Sequence, residues 1–135
     1  MKKILVTRKL LKENDERIKN LFDVKLNEKD QLYSSEEILE LSKDCDGILA
    51  FTTTSLNKDM IMNLPDSIKI ISNYSVGYGN IDVEAAQKRG IVVTNTPEVL
   101  TDATADISIL LLLGASRRAY EGRKAAEREN WLWSS

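Results

Sequence analysis

From Lys3 to Thr94 the chain alternates short apolar runs with polar stretches in which apolar residues recur at helical spacing. KILVT (Lys3–Thr7), FDVKL (Phe22–Leu26), GILAF (Gly47–Phe51), IKIISN (Ile68–Asn73) and GIVVT (Gly90–Thr94) are rich in β-formers, which predicts five strands. The second alternates apolar and charged side chains and so suits a sheet edge. Between the strands, Ile18, Leu21, Ile38, Leu39 and Leu41 take helical spacing within Glu13–Leu21 and Glu36–Ser42, with Ser34 or Ser35 as an N-cap. Asn57 opens a third helix that Pro65 closes, and a fourth runs from about Asp82 to Arg89 and stops at Gly90. One helix per crossover predicts an α/β fold: a flavodoxin-like five-stranded parallel sheet in the order 2-1-3-4-5, with ligands outside the strand C-termini.

Beyond Thr101 no strand signal and no Gly/Pro cluster follows, which predicts one long C-terminal helix capped by Thr101 or Asp102. Ala103, Ile107, Leu110, Leu111 and Gly114 share a helical face, yet Ile109 to Leu113 is apolar all round and is expected to be covered on every side. A homodimer through the 103–118 helix is the corresponding expectation. Arg117 to Asn130 is strongly charged, with Arg123 and Glu127 four apart, and Trp131 and Trp133 add apolar surface near the end. The expected organisation is a substrate-binding domain over 1–100 and the long interdomain helix with its extension over 101–135.

Composition narrows the function. Nineteen basic and 21 acidic side chains leave a formal charge of −2 with no block of one sign, which argues against nucleic acid as a partner. Ile4-Leu5-Val6 is too short for a signal-peptide core, and no run approaches the ~18 to 20 apolar residues of a membrane span. No membrane partner and a cytoplasmic location are therefore expected. Cys45, the one cysteine, lies between Asp44 and Asp46, whose charge opposes a thiolate, so it reads as a packed, inert thiol. Histidine is absent from the sequence, which removes the commonest general acid/base and the commonest metal ligand, and no metal site is expected.

Gly77-Tyr78-Gly79-Asn80-Ile81-Asp82 follows a strand and opens a helix, much like the G-x-G-x-x-G of a dinucleotide-binding turn. Asp82 stands where the third glycine would let helix and strand approach, and the turn follows the fourth strand rather than the first. A different anion site remains: glycines 77 and 79 could take positive φ and turn successive backbone N–H groups toward a small carboxylate. The same glycines could equally serve only to make a βα turn.

NYSVGYGNID (Asn73 to Asp82), KRGIVVTNTP (Lys88 to Pro97), VLTDATAD (Val99 to Asp106) and Arg117-Arg118, in that order, resemble consecutive motifs of the D-isomer-specific 2-hydroxyacid dehydrogenases, and of glyoxylate/hydroxypyruvate reductases most of all. The first 70 residues agree in pattern only. The resemblance implies an NAD(P)-dependent oxidoreductase acting on a small 2-oxoacid or 2-hydroxyacid. It also implies that the backbone amides of Val76 and Gly77 hold the substrate carboxylate, and that Phe51, Thr52, Thr53 and Thr54 line the pocket; Ser75, beside Val76 in the turn, is the further substrate-binding candidate. Val76 and Thr104 would lie near the cofactor.

In that family a glycine-rich dinucleotide domain follows the W-x-W region and brings the substrate-orienting arginine, the histidine acid/base and its paired acid. The sequence is therefore expected to be a fragment, with no catalytic residue of its own and with NAD or NADP bound tightly only in the complete enzyme. Read without the family, Thr104 could simply bond its own helix backbone, Asp106 suits a helix-dipole partner, and Arg117 and Arg118 suit cover for a helix end or a domain interface. A non-catalytic binding or assembly module on the same fold is the alternative. A signalling receiver would need acids where Thr7-Arg8 and Phe51-Thr52 stand, and a flavodoxin would need a Ser/Thr/Gly loop in place of TRKLL (7–11).

Overall fold

The computed structural model describes residues 1–128. β1 (Lys3–Val6), β2 (Asp23–Lys25), β3 (Gly47–Ala50), β4 (Ile70–Asn73) and β5 (Val92–Thr94) form one sheet in the order β2-β1-β3-β4-β5, every pairing parallel. The expected order holds, with charged β2 at one edge. Each strand is shorter than its apolar run. Ile68 and Ile91 are buried yet lie outside the ladder, because composition reports burial and the ladder needs a facing backbone.

The crossovers are α1 (Lys12–Leu21), α2 (Ser35–Ser42), α3 (Lys58–Asn63) and α4 (Val83–Lys88). Ser34 caps α2 in a reciprocal capping box with Glu37, while Asn57 and Asp82 accept from the Met60 and Ala85 amides at the starts of α3 and α4. Gly90 ends the fourth crossover at φ 66. Leu5, Ile48, Ala50 and Ile71 form the core with Ile38, Met60, Ile61, Ala85 and Ala86 from α2, α3 and α4 and with Leu64, just past α3.

Across the sheet, Ile4, Gly47, Ile70 and Val92 stand in one register row. Gly47 has no side chain there, and Ile70 Cγ2 and Ile4 Cδ1 close over it. Ile4, Ile18, Phe22, Ile48, Leu49, Ile70 and Ser72 line an apolar trough of about 270 Å3 beside α1.

The chain divides into two units, one ending at Pro97 and one beginning at Glu98. In the second, the expected single long helix is two: α5 (Thr101–Ser116) and α6 (Ala119–Ala126). Arg118 takes a left-handed φ of 52 between them, a break that an arginine does not announce in sequence as a glycine would. Neither Thr101 nor Asp102 caps α5. Leu100 holds the cap position with no side-chain bond, and Asp102 lies inside the first turn, where its charge still complements the helix dipole. Ile107 and Ile109 to Leu113 are all exposed, and the Arg123–Glu127 pair forms at 2.7 Å. Trp131 and Trp133 lie outside the described residues. Among those described, no helix is long and apolar enough to cross a membrane.

Gly47→Ala is expected to lower stability by about 1–3 kcal/mol, read as a fall in the urea midpoint. Its Cβ would stand 2.8 Å from Ile70 Cγ2 and 3.2 Å from the Ile70 carbonyl oxygen, atoms on a strand that cannot simply swing away.

Candidate functional site

A parallel sheet brings all its strand C-termini to one edge, and the predicted loops meet there. Tyr74 N–H reaches the Ala50 carbonyl at 2.8 Å, after which the chain leaves β4. Three successive carbonyls are then held by protein donors. Ser75 C=O accepts from Thr96 N–H at 2.9 Å, Val76 C=O from the Asn95 side-chain amide at 2.8 Å, and Gly77 C=O from the Asn73 side-chain amide at 2.8 Å. No backbone N–H from Val76 to Asn80 has an acceptor among the described residues. The peptides are trans, so a held carbonyl turns the following N–H the opposite way.

Asn80 ties this turn to the loop after β3. Its amide nitrogen donates to the carbonyls of Phe51 and Thr54, both at 3.0 Å, and lies 3.3 Å from Asn73 Oδ1, while Asn73 returns a bond at 3.1 Å. Asn73 is 2% exposed, so its bonds are made away from solvent. The Phe51 and Tyr74 rings meet with centroids 5.1 Å apart. The far side of the 51–54 loop is held as well: Thr7 and Thr54 hydroxyls bond at 2.7 Å, and Arg8 Nη1 donates to Thr53 Oγ1 at 2.9 Å. Asp30 grips the same guanidinium through both oxygens, at 2.7 and 3.0 Å, and also accepts from Lys9 N–H. Arg8 holds the Asp30 carboxyl well below the usual carboxylate range, with the Lys9 amide adding to the effect.

Phe51, Thr52, Thr53, Ser75, Val76 and Gly77 thus belong to two loops joined by side-chain amides. One expectation needs correction. Gly90 is the one glycine with positive φ among the described residues, so glycines 77 and 79 do not turn the amides by left-handed backbone. A Cβ on Gly77 would meet nothing within 4 Å. The direction of the amides comes instead from the donors that hold the carbonyls. Asn73, Asn80, Asn95 and Arg8 were missed because an asparagine at a strand end reads as ordinary turn chemistry until its acceptor is known.

Thr104, in the second unit, sends both its hydroxyl and its N–H to the Leu100 carbonyl, at 2.9 and 3.0 Å. That is the local backbone bond which the residues alone allowed. The glycine turn does not fit a dinucleotide. The Asp82 carboxylate occupies the N-terminus of α4, where a pyrophosphate would have to sit, and would repel it. Cys45 is fully buried, and burial pushes its thiol pKa up. No cluster of three metal-ligating side chains occurs among the described residues.

Residues 4–130 match the family described as D-isomer specific 2-hydroxyacid dehydrogenase, catalytic domain. The chain is 37% identical over 129 residues to the glyoxylate reductase of Pyrococcus furiosus, a match that covers 96% of this chain and 38% of that protein. It is 39% identical over 130 residues to the glycerate dehydrogenase of Hyphomicrobium methylovorum, covering 96% and 40%. Among solved structures, the NADPH-dependent glyoxylate/hydroxypyruvate reductase of Sinorhizobium meliloti, in complex with citrate, superposes with a TM-score of 0.79 at 32% identity, covering 97% of this chain and 40% of that one. The chain therefore spans about two-fifths of the length of these relatives.

The Arg8–Asp30 clamp has a definite pH sign. A carboxyl whose folded pKa is depressed stabilises the fold above its ordinary value near pH 4, and that contribution is lost as the pH falls below it. Asp30→Asn is expected to flatten the acid loss of stability below about pH 4, read from urea midpoints at successive pH values. Asn tolerates the left-handed φ of 54 at this position, so the backbone is preserved.

Proposed function

The chain belongs to the D-isomer specific 2-hydroxyacid dehydrogenase family, and from that premise we propose that it is the substrate-binding part of a cytoplasmic glyoxylate/hydroxypyruvate reductase-type enzyme that uses NAD or NADP. The observation that carries this reading is the run of amides beginning at Val76 that have no acceptor among the described residues, with the carbonyls behind Val76 and Gly77 already occupied. A 2-oxoacid must be held by its carboxylate, and the sequence has no arginine, lysine or histidine between Lys69 and Lys88. Backbone donors therefore hold the anion on this side of the cleft, where each well-formed charge-assisted bond contributes about 1.5–3 kcal/mol. Phe51, Thr52, Thr53 and Ser75 shape the wall beside it, and Thr104 stands toward the cofactor.

In the complete reaction a reduced nicotinamide supplies hydride to the carbonyl carbon while an acid supplies a proton to the oxygen. This sequence has no histidine to act as that acid, and its glycine turn does not fit the dinucleotide. Its own part is binding and orientation. The exposed apolar surface of α5, from Ile107 to Leu113, is the self-association surface through which the chain forms a homodimer.

The purified chain is expected not to consume NADH with glyoxylate; steady turnover by material free of host dehydrogenases would overturn this part of the reading. Oxalate is expected to bind weakly, near the millimolar range that roughly −4 kcal/mol represents, with amide NMR shifts largest at Val76 and Gly77. Shifts confined to other residues would place the anion elsewhere. Sedimentation should give a dimer that Leu111→Glu breaks; a monomer at all concentrations would remove the self-association surface.

A further inference from the structure

Two side-chain amides behind the turn have no place in the binding reading above, yet each holds a carbonyl of the turn. Asn95, just beyond β5, makes one side-chain hydrogen bond among the described residues, to the Val76 carbonyl, and Asn73 holds the Gly77 carbonyl. In a trans peptide the carbonyl and the next N–H point in opposite directions. The Asn95 bond therefore sets the direction of the Gly77 N–H, and the Asn73 bond sets that of the Tyr78 N–H. Gly77 has no positive φ and no neighbour within 4 Å of an added Cβ, so neither backbone strain nor packing holds that peptide plane in place.

We propose that Asn95 is a positioning residue that aims the Gly77 amide at the substrate carboxylate, and that Asn73 does the same for Tyr78, adding a third donor beside Val76 and Gly77. The inference rests on the carboxylate reading of this turn. It differs from that reading in locating the control of affinity just beyond β5, in a residue that touches no substrate. Free peptide planes in an exposed turn flip easily, and a flipped plane presents a carbonyl oxygen to an anion. Losing the aim thus replaces an attraction with a repulsion. Val76 provides an internal control, because its N–H is set by the Thr96 backbone bond to Ser75, which no side-chain substitution removes.

Asn95 is half-buried and borders a shallow depression formed with Tyr78, Val83, Val93 and Thr94, so substitution there does not disturb the core. Asn95→Leu keeps the bulk and removes the donor, and Asn95→Ala removes the donor without adding bulk to the depression. In ligand-free chain, both variants are expected to move the Val76 carbonyl-carbon and Gly77 amide shifts while the strand amides and the Val76 amide stay in place. Both are also expected to weaken oxalate binding about tenfold, the loss of one charge-assisted bond. A purely structural role would lower the urea midpoint and leave the affinity of the folded chain unchanged, and that outcome overturns the proposal. So does an unmoved Gly77 amide in either variant. If wild-type chain shows no oxalate response at Val76 and Gly77, the carboxylate reading fails by itself, and the ligand-free comparison still decides whether Asn95 aims the amide.

Discussion

The Asn73 and Asn80 side chains bond to each other beneath the C-terminal edge of the sheet, and between them reach the carbonyls of Phe51, Thr54 and Gly77. A buried primary amide that loses a partner leaves a polar group unsatisfied at a cost of about 1–3 kcal/mol. The loops after β3 and β4 are therefore fixed to each other, since neither can shift without orphaning a group on the other. The 51–54 loop and the turn from Tyr74 to Asn80 owe their relative position to this pair.

Around it the polar bonds form two supports for one loop. Asn80 holds residues 51–54 from the β4 side, and Thr7 with the Arg8–Asp30 pair holds them from the β1 side. Charge is kept at the rim: Arg8 is neutralised by Asp30, and the turn itself carries no cation. An anion at Val76 and Gly77 would meet dipoles that are already oriented, so little reorganisation is needed when it binds.

A resemblance of motif and a fit of site parted at Gly77 to Asp82. The string looks like a dinucleotide turn, but the carboxylate at its end caps α4 and closes that helix terminus to phosphate. The same residues, read by their hydrogen bonds, suit a smaller anion. The family match covers residues 4–130, and the chain spans about two-fifths of its relatives' length.

The order of the five strands and four crossover helices, the caps at Ser34 and Asn57 and the stop at Gly90 were legible in the sequence, because each depends on residues a few positions apart. Hydrophobic periodicity is local, and so is a cap. The loops of the site were legible too, as the ends of predicted strands. What holds their carbonyls was not: Asn95 lies 19 residues from Val76, and Asn80 lies 29 from Phe51, so the bonds exist only once parallel strands stand side by side. Nor did residue type reveal the break at Arg118, where an arginine takes the conformation usually left to glycine. Local preference determined which elements form, and tertiary pairing decided which polar groups of their loops bond to one another, since a hydrogen bond between distant segments has no sequence period to betray it.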